Sequence, residues 1–228
     1  MTGDNILYDI AIWLVPLVVA IVFHEVAHGV VANHFGDPTA ADQGRLTFNP
    51  LRHVDPVGTV LLPLVLAITH APIFGWARPV PVRAERLRNP RVHMMLVALA
   101  GPGMNLLLAV AAAMLVALLL GGSGQEPQGA AAFLTDNLVN FLLINVFLAI
   151  FNLLPVPPFD GGHVVEGLLP RPWAAQYARL GRFAFPILVV LLLVVPLLFP
   201  QANVVARVVS PIATFVATGL LWLVGLGA

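Results

Sequence analysis

The chain has no cysteine and no lysine, and charged residues make up only 10% of its 228 positions. Without cysteine there is no disulfide framework from which to read a redox compartment. All eleven basic residues are arginine, balanced by eleven acids to zero net charge, and this neutrality gives no basis for a nucleic-acid partner. Long polar stretches are missing as well. The longest, Gly121 to Asp136, is too short for a second domain, and no repeat or low-complexity linker divides the rest. The expectation is a single polytopic domain over 1–228, with a functional core at about 6–167 and two C-terminal spans at about 183–227.

Apolar sequence fills the space that charge leaves. Hydrophobic residues reach 59% of the chain, and the mean hydropathy is +0.93. Both lie far above a soluble globular domain, so the composition predicts an all-α integral membrane protein. Crossing a hydrocarbon core of about 30 Å takes about 20 mostly apolar residues. Segments of that kind run from Ile6 to Phe35, Val92 to Leu120, Leu138 to Phe159, Phe183 to Pro200 and Val204 to Gly227, with a weaker one from Val57 to Phe74. Five to six transmembrane helices are therefore expected. The first segment does not read as a cleaved signal, because its leader carries Asp4 and Asp9, no basic residue and no small-residue cleavage site.

Inside that first segment stands His24-Glu25-Val26-Ala27-His28. A helix turns once every 3.6 residues, so histidines four apart project from one face and can hold one metal ion between them. Glu25, beside the first of them, can then act as a base toward water at that ion. The pattern points to hydrolytic zinc chemistry placed within a bilayer.

Arginine placement bears on topology. If Val57 to Phe74 dips in and returns, ten of the eleven arginines share one face, which the positive-inside rule makes cytoplasmic. Pro63, Thr69, His70 and Pro72 suit such a re-entrant element better than a lipid-facing span. The N-terminus then lies outside, and His24 and His28 fall in the inner half of their helix. A third ligand must reach the same depth. The Leu138 segment ends in Pro155, Pro157 and Pro158, which prevent regular helix, so Asp160 is expected on extended backbone at the inner end of that span. An intramembrane carboxylate costs about 2.5 to 3.5 kcal/mol unless paired or coordinated. Two histidines and a carboxylate form an open catalytic set rather than a closed structural one.

These residues carry a resemblance. The chain resembles the site-2 protease family of intramembrane zinc metalloproteases in its compact bacterial form. The match lies in His24 to His28, in Gly101-Pro102-Gly103-Met104-Asn105, and in Asn152, Pro155 and Asp160-Gly161. The loops Gly44-Arg45-Leu46-Thr47-Phe48-Asn49-Pro50 and Gly75-Trp76-Ala77-Arg78-Pro79-Val80-Pro81-Val82 also look like that family. The resemblance implies zinc on His24, His28 and Asp160, Glu25 as catalytic base, and Asn152 as a group positioning substrate or oxyanion. It implies cleavage of transmembrane segments of membrane proteins, and a small membrane-associated β element after the first helix that would pair with extended substrate. Neither a PDZ nor a CBS domain is present.

Other readings of single residues stand beside these. Asp160 has a competing role as a helix-start aspartate, and Asn152 as interhelical glue. Gly101, Gly103 and Asn105 read as a close helix approach near the site, and His163 as a hydrogen-bond partner to one of the ligands or an interfacial histidine. His53, Asp55 and His70 are weaker ligand candidates. The alternative function is a membrane metal-binding or metal-transport protein, which would need the ligands but no base such as Glu25.

Overall fold

A computed structural model describes residues 6–68, 75–121 and 127–226. Its main helices are α1 (Ile6–His34), α2 (Pro90–Leu120), α3 (Ala130–Asn152) and the short α4 (Asp160–Leu168). They are followed by α5 (Arg171–Leu198) and α6 (Val205–Leu223). Five of these, all but α4, are long and apolar enough to cross a membrane. A further short helix covers Pro56–Leu61 and Leu62–Ile68. At 1.5 Å per residue it spans about 20 Å, less than a hydrocarbon core. Thr69, His70 and Pro72 of the expected re-entrant segment lie outside the described residues.

Helices α1, α2 and α3 pack on one another, and α4 packs against α2. Small residues make the close approach possible. Ala109, Ala112 and Ala113 of α2 meet Leu142 and Val146 of α3 and Ala213 and Ala217 of α6 in one buried cluster, as expected where lipid supplies no hydrophobic drive between helices. Polar stitches add specificity. Pro16 lies inside α1 and brings no N–H, which frees the carbonyl of Ile12 one turn earlier. Asn140 Nδ2 of α3 donates to that carbonyl at 2.9 Å, so the defect in one helix is satisfied by its neighbour.

The expected boundaries of two helices differ. α3 starts at Ala130 rather than Leu138 and stops at Asn152 rather than Phe159, because the three prolines hold residues 153–159 in turns. Helical structure in α5 starts at Arg171, ahead of the apolar run that marked Phe183.

The small β element is not found, since no strand occurs among the described residues. Residues 44–50 turn at Gly44, with φ +61°, and end in the single helical turn Pro50–Arg52. Residues 75–83 are irregular, and their amides are taken one at a time by unrelated acceptors. Trp76 N donates to Gly58 O at 3.2 Å and Arg78 N to His53 O at 2.8 Å. Val80 N donates to Glu25 Oε2 at 2.7 Å, and Arg83 N to Asp37 Oδ2 at 2.6 Å. Pro79 and Pro81 have no N–H, which leaves only one side of this segment able to pair, and the amides of Trp76, Arg78 and Val80 are already taken.

Asp37, fully buried in the turn after α1, fastens the far end of that segment. It accepts from the backbone and side chain of Thr39 as well as from Arg83. Burial alone would raise its pKa; the Arg83 and Thr39 donors, with Arg86 nearby, outweigh burial and hold it below the usual aspartate range. A depressed native pKa contributes stability that is complete above the unfolded value of about 4 and is lost as pH falls through the native one. Asp37→Asn is therefore expected to lower stability by about 1 to 3 kcal/mol at pH 7, and thermal melts should show the gap closing on acidification. A gap that widens toward low pH would contradict this.

Candidate metal centre

The centre is assembled from three separated stretches of chain. His24 and His28 lie on one face of α1, 7% and 9% exposed, with Nε2 atoms 3.0 Å apart. Asp160 is the first residue of α4. Its Oδ2 lies 3.3 Å from His24 Nε2 and its Oδ1 3.4 Å from His28 Nε2. Asp160 thus reaches the histidines from a helix start rather than from the extended backbone expected. The prolines do interrupt the chain, but the interruption ends at Phe159, whose ψ of 156° is the last extended value before α4. Leu154 and Phe159 bury this turn against Val209 of α6, and Tyr177 Oη of α5 donates to Pro155 O at 2.8 Å.

Second contacts set the chemistry of the imidazoles. His28 Nδ1 is 2.7 Å from Val97 O, and a carbonyl only accepts, so that nitrogen carries the proton. His24 Nδ1 is 2.6 Å from Asn105 Oδ1. The amide end of Asn105 is already engaged, donating to Asn145 Oδ1 at 2.8 Å and to Ala20 O at 3.3 Å. His24 Nδ1 is therefore the donor to Asn105. In the neutral form both Nε2 atoms then present lone pairs toward each other and toward a carboxylate.

The two Nε2 atoms lie 3.0 Å apart and each faces a different oxygen of Asp160 at 3.3 to 3.4 Å, so these acceptors repel one another unless a proton or a metal ion lies among them. Donors placed tetrahedrally at about 2.0 to 2.1 Å from zinc are separated by about 3.3 Å. The observed spacing fits that ion, and Asp160 Oδ2 is buried with no hydrogen-bond donor of its own. Among the described residues, this is the one group of three or more such side chains close enough to hold a metal.

Gly101 of α2 closes the centre on the remaining side. A Cβ there would lie 2.4 Å from His28 Nε2 and 2.5 Å from His24 Cε1, so only glycine lets α2 approach the imidazoles. The two elements of Gly101-Pro102-Gly103-Met104-Asn105 thus serve the histidines directly, one by yielding space and the other by a hydrogen bond. Sequence reasoning assigned them to a close helix approach near the site, without naming the histidines as their partners. The missed signal was Asn105 itself, an amide within an apolar run that requires a partner at that depth.

Glu25 is half-buried beside His24 and accepts the Val80 N–H. Asn152 ends α3, and its Nδ2 donates to Leu148 O in its own helix at 3.0 Å. The remaining candidates are engaged elsewhere. His53 Nε2 contacts Thr47 O at 2.9 Å, Asp55 caps Pro56–Leu61 through Val57 and Gly58, and His163 is half-exposed, 3.7 Å from Glu166. His70 lies outside the described residues.

Comparison with known proteins agrees with this chemistry. The model of "Peptidase family M50" matches residues 123–195, a stretch that contains Asp160 but not the α1 histidines. "Putative zinc metalloprotease YwhC" of Bacillus subtilis is 40% identical over 83% of this chain and 85% of its own length. "Putative zinc metalloprotease Rip2" is 32% identical in Mycolicibacterium smegmatis and 33% in Mycobacterium tuberculosis, each over 81% of this chain and 66% of the relative. No solved structure matches. With five membrane-length helices and a relative alike along most of both sequences, the chain is a multi-pass membrane protein belonging to peptidase family M50, the site-2 proteases.

Proposed function

We propose that this protein is an intramembrane zinc endopeptidase that cleaves transmembrane segments of membrane proteins, in regulated proteolysis or in clearance of signal peptides. The observation that carries the reading is the convergence of His24, His28 and Asp160 next to the carboxylate of Glu25. His24, His28 and Asp160 would hold the ion, which when bound supplies a Lewis acid that polarises a peptide carbonyl and acidifies water. Glu25 accepts a proton from the attacking water and returns it to the departing amide nitrogen. Asn105 and Val97 keep the imidazoles in the tautomer this needs. Asn152 donates to the developing oxyanion once its amide leaves Leu148 O.

A transmembrane substrate hides its carbonyls in its own helix, so it must unwind before attack, and helix-weakening residues favour cleavage. The chain works as a single domain. Its N-terminus lies outside and the site toward the cytoplasm, with 57–74 re-entrant, which is supported by the arginine distribution and by the position of His24 and His28 in the second half of α1.

The test is co-expression of wild type and Glu25→Gln with a single-span reporter, with bound zinc measured on both. Removing a general base is expected to lower cleavage by about 10² to 10⁴ while zinc is retained. Equal processing by the two proteins would overturn the protease reading in favour of metal binding or transport.

A further inference from the structure

The irregular segment 75–83 touches the site at one atom, and the residues around that atom are specialised for the contact. In Pro79-Val80-Pro81 only the middle residue has an N–H, and a residue before proline is driven to extended backbone. That single donor meets Glu25 Oε2 at 2.7 Å. Gly29 of α1 makes room for it: a Cβ on Gly29 would fall 2.4 Å from Leu46 Cδ2 and 2.8 Å from Val80 Cγ1. Val80 itself is buried.

Arg45 holds this segment from the other side. Its side chain is only 6% exposed, and its Nη2 donates to Arg78 O at 2.8 Å, with Pro79 O at 3.4 Å. Its buried Nε has no partner. The charges that bear on it are Arg78 and Arg52, which oppose it, and Glu25, which favours it. Burying a guanidinium for contacts with two carbonyls costs free energy, and no carboxylate bridges it. What those carbonyls share is that they immediately precede the Val80 amide.

We propose that Arg45 is a positioning residue for the base: it grips the 78–79 carbonyls so that the Val80 N–H fixes Glu25 Oε2, leaving the second carboxylate oxygen for the reacting water. Both contacts are made by Nη2, and a lysine, a compact and strongly hydrated charge on a flexible stem, does not fix a nitrogen at that point as the planar guanidinium does. The proposal rests on Glu25 being the base.

Because its neighbours are prolines, Val80 contributes the one exchangeable amide of residues 79–81, so hydrogen exchange reads this contact without reference to catalysis. Purified full-length wild type, Arg45→Lys and Glu25→Ala are compared for exchange at Val80 and for bound zinc, and the first two for cleavage of the single-span reporter. Both substitutions are expected to speed exchange at least tenfold. Arg45→Lys should keep its zinc and its KM and lose about 10- to 100-fold in kcat, the scale of a misplaced catalytic group. Unchanged exchange in Arg45→Lys would overturn the proposal, as would faster exchange with normal kcat or a rise in KM alone. Loss of zinc in Arg45→Lys would also overturn it, by making Arg45 a support of the fold. Failure of the underlying reading shows in a different pair, wild type against Glu25→Gln, and leaves the exchange result intact.

Discussion

Gly101→Ala yields a protein that folds, binds no zinc and cleaves nothing. Alanine is the better helix former by about 1 kcal/mol, which offsets part of the cost of overpacking, about 1 to 3 kcal/mol, so the zinc-free protein should still fold, with at most a modest fall in melting temperature. The new methyl, however, would stand 2.4 Å from His28 Nε2 and 2.5 Å from His24 Cε1. These are ring atoms of the ligands, held from behind by Val97 O and Asn105 Oδ1. They cannot retreat without breaking those bonds, and α2 cannot retreat without opening its alanine contacts with α3 and α6. Loss of a ligand's hydrogen-bond partner alone costs about 10- to 100-fold in metal affinity, and displacing both ligands should exceed that. Zinc analysis of purified Gly101→Ala decides the matter; a full complement of metal would show that the helices separate freely.

Asp160→Asn is expected to be nearly as severe. The substitution keeps shape and any turn-forming capacity but removes the negative charge and the second acceptor oxygen. If Asp160 served to start α4, asparagine would serve as well, since both cap helices equally. The structure gives the side chain no such duty: Phe159 occupies the cap position, and no side-chain cap bond is made. A ligand role predicts at least about a 100-fold loss of zinc affinity with α4 intact, and loss of reporter cleavage. Chelator should lower the melting temperature of wild type and leave that of Asp160→Asn unmoved. Wild-type zinc binding by the variant would remove Asp160 from the site.

Most of the architecture was legible because lipid imposes a simple rule on sequence. An apolar run must be a helix of a certain length, so α1, α2, α3, α5 and α6 were all visible as runs. The histidine pair was legible from helical spacing, and Asp160 from depth and from the prolines ahead of it. The unseen parts depend on contacts between distant segments. That Asn105 would orient His24, that Val80 would meet Glu25 and that Arg45 would hold the carbonyls of residues 78–79 follow from no local periodicity. The β element failed because the amides of residues 76, 78, 80 and 83 go to separate acceptors on other segments, which the sequence does not announce. The early start of α3 was hidden because residues 130–136 fell within the stretch Gly121 to Asp136 that read as polar loop.

The separation of the ligands along the chain has a consequence for biosynthesis. His24 and His28 enter the membrane with the first helix, whereas Asp160 follows only after α2 and α3 have been made. Until then the nascent protein has two imidazoles, a glutamate and no third ligand. On the proposed ligand set, the nascent protein could not complete its metal centre for more than half of elongation. The proposed centre would be completed late, when the turn after α3 brings Asp160 to the histidines.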